Sequence, residues 1–238
     1  MGQVADSPPA FHRHVLVTPG DGWVSAWLED DYHHLGVTLR HDGETVDRID
    51  AEMVRAPWST CPGAVQQLTA TFAGVRLDEV TARGEKQANC THLHDMAVIA
   101  AVHARDPAPI RYEITVTDAA GGVRLCEITR DSALAQRLVE RDNLIEEPVE
   151  ARGKTLFQLG EWIASLDEQA REAARLLRWA AIIAHGRAIP MDRQSDASRM
   201  QSNCFTFQPG RKERAQRVGA VMDFTTSARQ PLDDLVST

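Results

Sequence analysis

The segment from Asn89 to Asp95 combines the residue types and spacing that acid–base chemistry requires. Its sequence is Asn-Cys-Thr-His-Leu-His-Asp, and either Asn89 or Thr91 is a suitable N-cap for a helix that begins here. The positive end of that helix favours a thiolate at Cys90 or a neutral imidazole at His92. Asp95 follows His92 by three residues, so its carboxylate shares the helical face and can orient the ring as a general base.

The same segment also allows a purely structural interpretation. Cys90 is then a small buried apolar residue, Thr91 a simple cap, and His94 a solvent-facing side chain. We prefer this interpretation for Cys90 and His94. For His92 both interpretations stay open.

A second group of acids and imidazoles occupies residues 29–34, Glu-Asp-Asp-Tyr-His-His, where a predicted strand ends in a turn. Functional side chains concentrate at such positions, so an acid, a phenol and imidazoles can converge on a pocket here. The residues that we expect to act as acids and substrate contacts are Asp30, Tyr32, His33 and His34. The alternative is a solvated turn, and for Asp31 this alternative is favoured.

His12 and His14 form a weaker candidate, a metal site. They lie two residues apart on an expected strand and therefore point to the same side. Two imidazoles suit a metal ion, although the sequence identifies no third ligand. The chain also lacks the motifs of nucleotide-binding proteins, serine hydrolases and zincins. We therefore predict neither a metal nor a cofactor. His41, beside a turn, is expected to be exposed.

The elements that position these residues begin with strands. Alternating apolar residues over 14–54, interrupted by Asp42-Gly43, predict an antiparallel meander, because Asp-Gly favours hairpin turns. A second hairpin is predicted from strands at 110–116 and 123–129. Helices are predicted over 63–73 and 89–104.

Two helices are predicted further along the chain. Thr155 with Gln158, and Ser165 with Glu168, match the capping box. The second helix ends near Ala184 and is apolar nearly all round in its last turns. It is therefore either central to the core or half of a subunit interface, and we expect a homodimer. Residues 187–212 show no clean period, which predicts an ordered surface loop.

These elements predict an α+β fold, with an antiparallel meander and hairpins packed with helices and a C-terminal helical pair. One domain is expected over residues 1–238. Its parts are a β-rich half with two helices at 11–130, the helical pair at 153–186, and a surface loop and tail at 187–238.

Composition limits the classes of partner. The chain has 26 basic and 34 acidic residues and a formal net charge of −8, which argues against binding to nucleic acid. No apolar run approaches the roughly 20 residues of a membrane helix, and the first residues lack the features of a signal peptide. The four cysteines are widely spaced, which favours reduced thiols and a cytoplasmic location.

A series of landmarks runs in a fixed order along the first half of the chain: His12, Asp21-Gly22-Trp23, Leu28-Glu29-Asp30, Pro57, Cys61-Pro62, Leu68, Gly74 and Cys90-Thr91-His92-Leu93. Over about residues 11–105 this order resembles an uncharacterised bacterial domain-of-unknown-function family. Its mark is a Cys-Thr-His-Leu tetrad that opens a helix, followed by an acid, here Asp95.

The resemblance carries no general biochemical activity, and it suggests a connection with the bacterial breakdown of plant-derived aromatics. The chain departs from the family pattern at two places. It has His12-Arg13-His14 where the family has His-x-Arg, and Asp31-Tyr32-His33-His34 in place of an aromatic stretch. The second departure indicates a pocket adapted to different proton-transfer chemistry.

Three functional hypotheses follow. The first is a cofactor-independent acid–base lyase that acts on a small phenolic, lignin-derived aromatic and releases formaldehyde, with His92 as base and Asp95 as its orienting acid. The second is a metal-dependent hydrolase built on His12, His14 and a carboxylate such as Asp30. The third is a non-catalytic dimeric binding module in which the histidines are structural.

Overall fold

The computed structural model describes residues 8–236, and its strands form one eight-stranded antiparallel sheet. The strands are β1 (Ala10–Gly20), β2 (Trp23–Asp30), β3 (His34–His41), β4 (Val46–Arg55), β5 (Ile110–Thr117), β6 (Val123–Arg130), β7 (Ala133–Arg141) and β8 (Leu144–Glu147). Their order in the sheet is β4-β3-β2-β1-β5-β6-β7-β8.

Four helices of six residues or more accompany the sheet in the described chain: α1 (Ala64–Phe72), α2 (Thr91–Val102), α3 (Gly160–Ser165) and α4 (Glu168–Ala184). Two four-residue helices follow, α5 (Met191–Gln194) and α6 (Asp233–Val236). Short 3₁₀ segments lie at Cys61–Gly63, Val80–Ala82, Val149–Ala151, Leu156–Gln158, His185–Ala188 and Ala197–Arg199. The predicted α+β class is confirmed. None of the helices within residues 8–236 has the length and apolar character needed to cross a membrane.

Two compact units can be distinguished in the chain. The first contains the described parts of Met1–His14, Tyr112–Pro190 and Asp223–Pro231. The second contains Val15–Arg111, Met191–Met222 and the described part of Leu232–Thr238. Every residue predicted for the acid–base site belongs to the second unit. The expectation of a single domain stays a prediction.

In the second unit, α2 packs on β2 and β3, and α1 packs on β4. The register of β2 and β3 pairs Leu28 with Leu35 and Glu29 with His34. Leu28, Leu35 and the α2 residue Leu93 are buried. Since side chains alternate along a strand, Leu28 and Glu29 lie on different faces of the sheet. The acids at the end of β2 are therefore divided between two environments.

In the first unit, α4 packs on β6 and β7, and its buried residues are alanines and one leucine. The buried set is Ala173, Ala174, Leu177, Ala180, Ala181 and Ala184. The N-cap lies two residues beyond the predicted Ser165, because Asp167 is the N-cap and accepts a hydrogen bond from the Ala170 amide at 2.9 Å. The capping box of Ser165 with Glu168 was thus a wrong prediction, whereas that of Thr155 with Gln158 is present.

Strands β7 and β8 were missed by the sequence patterns, and the turns that lead to them explain why. Asp131-Ser132 joins β6 to β7 and Asp142-Asn143 joins β7 to β8, with φ of 50° and 68° in each pair. Two positive φ values in a two-residue hairpin loop define a type I′ turn, which glycine usually marks in a sequence. Neither turn contains glycine, so the usual sequence signal is absent.

The backbone at Ser132 provides a test of this turn geometry. The left-handed region costs an ordinary residue about 1–2 kcal/mol, whereas asparagine and glycine adopt it readily. Ser132→Gly should therefore raise the free energy of unfolding by about 0.5–1 kcal/mol in urea denaturation. Asn143→Gly, at the equivalent position of the next turn, should change it less. A larger gain at Asn143 than at Ser132 would contradict this account.

Candidate functional site

Arg55, the last residue of β4, fixes the turn between β2 and β3. Its Nη2 donates to the carbonyl oxygens of Asp30 at 2.6 Å and His33 at 3.3 Å, and to Glu29 Oε1 at 3.2 Å. Its Nη1 donates to the Asp31 carbonyl at 2.8 Å. Glu29 is fully buried, so the guanidinium supplies the countercharge that this carboxylate requires inside the protein.

Asp30 organises the turn from the opposite side. Its Oδ1 accepts the backbone amides of Tyr32 and His33, both at 2.7 Å. The same carboxylate lies 3.0 Å (Oδ1) and 3.3 Å (Oδ2) from His33 Nδ1. Because a carboxylate only accepts hydrogen bonds, His33 Nδ1 is the donor, and the lone pair of the neutral ring lies on Nε2.

His92, the second residue of α2, meets this turn. Its ring centroid is 4.0 Å from that of His33, with 33° between the ring planes. Asp30, His33 and His92 each present one polar atom, and these three atoms lie within 4.8 Å of one another. We call these three residues the His92 cluster. The two stretches singled out in the sequence are therefore brought together.

The neighbouring residues Glu29 and His34 form a separate group with Asp234 of α6. His34 Nδ1 lies 3.7 Å from Glu29 Oε1, and His34 Nε2 lies 4.0 Å from Asp234 Oδ2. The Leu232 amide donates to Glu29 Oε2 at 2.8 Å. The Trp27 ring meets the His34 ring edge to face at 5.8 Å. We call Glu29, His34 and Asp234 the His34 cluster.

The alternative of a solvated turn at 29–34 is wrong. Asp30 and Asp31 are fully buried, and Tyr32 and His33 retain at most 8% of their accessible surface. The Asp31 carbonyl accepts the Met222 amide at 2.8 Å, in addition to Arg55. Tyr32 lies with its ring centroid 6.4 Å from that of His33. The acids of this turn are therefore held away from water.

Asp95, the predicted orienting acid of His92, forms an ion pair with Lys86. Its carboxylate oxygens lie 2.6 and 2.8 Å from Lys86 Nζ, which makes Asp95 half of an ion pair. The carboxylate that holds an imidazole in this site is Asp30, which holds His33. The pairing of His92 with Asp95, derived from helical spacing alone, omitted a lysine from the loop before the helix.

Three further predictions about the histidines and the helix start are corrected. The N-cap of α2 is Cys90, without a side-chain hydrogen bond, while the side-chain Nδ2 of Asn89 donates to Thr71 Oγ1 at 2.9 Å. His94 is buried, lies 3.1 Å from the Gly84 carbonyl through Nε2, and has its pKa lowered by that burial. His41 is also buried, and its Nδ1 accepts a hydrogen bond from the Gly43 amide inside the turn.

The surroundings of His12 and His14 differ from those expected for a metal site. His14 is buried, and its Nδ1 lies 2.8 Å from the Pro231 carbonyl. Burial and the nearby Arg187 lower the pKa of His12. Among residues 8–236, the groups with three potential metal ligands are the His92 and His34 clusters, and neither contains His12 or His14.

The sequence patterns did not identify two residues of the site, Arg55 and Asp234. Arg55 belongs to no motif, but the register of β3 and β4 places it opposite His34. A correct register for the predicted hairpin would thus have identified it. Asp234 lies about 200 residues beyond His34 in the chain, and no local pattern links the two.

Comparison with known proteins supports the resemblance inferred from the sequence. Residues 23–105 match the model of DUF2889, a protein family of unknown function. The match confirms the similarity to a domain-of-unknown-function family. No curated protein matches the chain significantly. The matched residues include Asp30, His33, His92 and Arg55, whereas Asp234 lies outside them.

The environments of the cysteines do not favour a nucleophilic thiolate. All four thiols are free. Burial raises the pKa of Cys90 and Cys126 to about 12, that of Cys204 to about 11, and that of Cys61 above its ordinary value. The structural interpretation of Cys90 is thereby favoured, since a thiol with so high a pKa holds its proton at neutral pH.

Alkylation tests this conclusion. We expect iodoacetamide at pH 8 to modify the native protein far more slowly than glutathione, because the thiolate is the reacting form. All four thiols should react once the chain is unfolded in guanidinium, which serves as the control. Rapid modification of Cys90 in the folded protein, located by peptide mass spectrometry, would contradict the buried environment.

The role of Arg55 can be tested through stability. Arg55→Ala leaves Glu29 buried without its countercharge, and we expect the free energy of unfolding to fall by about 3–5 kcal/mol. Arg48, on the same strand, is the matched control, because its exposed pair with Asp50 should contribute under about 0.5 kcal/mol. Arg55→Lys should retain little of the lost free energy of unfolding, since an ammonium group cannot reproduce the planar fork of donors. Equal effects of the two alanine variants would refute the role of Arg55.

Proposed function

We propose that the protein is an acid–base lyase that removes a hydroxymethyl carbon as formaldehyde from a small phenolic, lignin-derived aromatic. The observation that carries the proposal is the His92 cluster, in which two imidazoles lie 4.0 Å apart beside a buried carboxylate. One ring is oriented by Asp30, and the other is presented from the first turn of a helix. Such a pair can accept a proton at one atom and donate one at another.

The reaction balances without a redox partner. The base removes the proton of a primary hydroxyl, the O–H electron pair becomes the C=O bond of formaldehyde, and the C–C bond breaks. Its electron pair forms a double bond to the adjacent benzylic carbon, whose C–O bond breaks in turn. The departing oxygen receives a proton. One proton is thus taken and one is given. The hydroxymethyl carbon is oxidised and the benzylic carbon is reduced by the same electron pair, so no net oxidation occurs.

The geometry suggests how the roles are divided. Asp30 holds Nδ1 of His33 and thereby directs the Nε2 lone pair, so we assign His33 as the base and Asp30 as its positioning residue. His92 is the more exposed of the two rings, and we assign it as the acid for the departing oxygen. This reverses the roles expected from the sequence, where His92 was the base. Tyr32 stays a proposed substrate contact. His34 lies with Glu29 and Asp234 in the separate His34 cluster, and we do not retain it in this role.

The proposal retains two further expectations. The four free thiols are compatible with a reducing cytoplasm, where we place the protein. The half-buried Trp179, Ile182 and Ile183 of α4 are the surface that we propose for a homodimer.

The reaction is tested by incubating the purified full chain with phenolic lignin-type dimers that carry a hydroxymethyl group. We expect formaldehyde and an aromatic alkene in equal amounts, measured by derivatisation and chromatography. His92→Gln and His33→Gln should each lower turnover at least ~100-fold. His103→Asn is the matched control, since His103 pairs with Asp106 at the other end of α2 and should leave turnover unchanged.

Two results would count against the proposal. The first is full turnover by His92→Gln and His33→Gln with the fold intact by circular dichroism. The second is equal formaldehyde release from a dimer that lacks the hydroxymethyl group, because the carbon would then come from another source.

A further inference from the structure

We infer that the His92 cluster binds one divalent transition-metal ion of the zinc class through Asp30, His33 and His92. Each residue presents one ligand atom, and the three atoms lie within 4.8 Å of one another. One carboxylate and two imidazoles are a common ligand set for mononuclear zinc and non-haem iron, and they leave coordination positions for water or substrate.

The distances within the cluster are close to those of a coordination sphere. Two ligands of a tetrahedral zinc ion lie about 3.3 Å apart, given metal–ligand distances of about 2.0–2.2 Å. His33 Nδ1 and Asp30 Oδ2 are already 3.3 Å apart. The other ligand atoms need to approach by at most about 1.5 Å from their 4.8 Å limit, which small side-chain rotations can supply.

The ligands are also held in place by their surroundings, as metal ligands usually are. The amides of Tyr32 and His33 bond Asp30 Oδ1, and Arg55 bonds the Asp30 carbonyl at 2.6 Å. These bonds fix the carboxylate through the backbone rather than through the imidazole. An ion that takes over His33 Nδ1 therefore leaves the orientation of Asp30 supported.

The His34 cluster offers an instructive contrast. Its three potential ligands are equally close together, but both oxygens of Glu29 are engaged. Arg55 lies 3.2 Å from Oε1, and the Leu232 amide lies 2.8 Å from Oε2. A metal ion there would face the guanidinium cation and displace both hydrogen bonds. We therefore confine the inference to the His92 cluster, and His34 becomes a matched control.

The metal site shares its imidazole rings and its carboxylate with the proposed lyase chemistry. When a metal ion binds Nδ1 of His33, the neutral ring carries its proton on Nε2 and cannot accept another proton there, so the acid–base reaction belongs to the metal-free form of the site. The existence of the metal site itself is independent of that reaction. It can be measured without any substrate.

The test is a titration of the full chain, stripped with a chelator, with Zn²⁺ in a calorimeter and with Co²⁺ followed by its visible absorption. We expect one ion per chain. His33→Ala and His92→Ala should each weaken binding at least ~100-fold, since even the loss of a residue that only supports a ligand costs up to about that factor. His92→Gln, of similar size, covers the case in which an alanine variant unfolds. His34→Ala should bind as the wild type does.

Several outcomes would overturn the inference: no saturable binding of either ion, unchanged affinity in folded His33 and His92 variants, or equal losses in His34→Ala. Dependence on His12 and His14 in corresponding alanine variants would also overturn it, by placing the ion elsewhere. Failure to release formaldehyde would reject the lyase proposal and leave these titrations unaffected. Failure to bind metal would leave the lyase proposal unaffected.

Discussion

The geometry of the site rests on the guanidinium group of Arg55, which joins four acceptors from the 29–34 turn. Three are backbone carbonyls and the fourth is the buried carboxylate of Glu29. A planar fork of donors can hold several acceptors at once, which an ammonium cannot. Without this group the buried carboxylate of Glu29 would lose its countercharge and three backbone carbonyls would each lose a donor, and proteins avoid burying a charge without a partner. The position of His33 beside His92 is a consequence of this fixed turn.

Because side chains alternate between the two faces of a strand, neighbouring residues of the turn have separate partners. Glu29 and Asp30 are adjacent in the chain, but the first engages Arg55 and the C-terminal segment, whereas the second engages His33. A single acidic and imidazole-rich turn thus becomes two clusters with different chemistry. One is neutralised by a guanidinium and is structural in character. The other brings two imidazoles and a carboxylate close enough to exchange protons or hold an ion.

The sequence predicted the elements better than the contacts between them. The first two hairpins and helices α1 and α2 follow from alternation, Asp-Gly turns and helix stops, and they brought the correct segments into view. The type I′ turns at Asp131-Ser132 and Asp142-Asn143 lack glycine, so β7 and β8 had no signal. Asp95 was assigned to His92 by helical spacing, which gives no sign of the ion pair that Asp95 forms with Lys86 from outside the helix. Burial of the 29–34 turn depends on Arg55 and Met222, which are distant in the chain, so no local pattern could predict it.

The most direct test of the arrangement is nuclear magnetic resonance of the histidine side chains. Long-range ¹H–¹⁵N spectra report which ring nitrogen of His33 carries the proton, and nuclear Overhauser effects report which rings are close. The account predicts a protonated Nδ1 at His33 and a strong effect between the His33 and His92 ring protons, both lost in Arg55→Ala. A proton on Nε2 of neutral His33, or no effect between the two rings in the folded wild type, would contradict it.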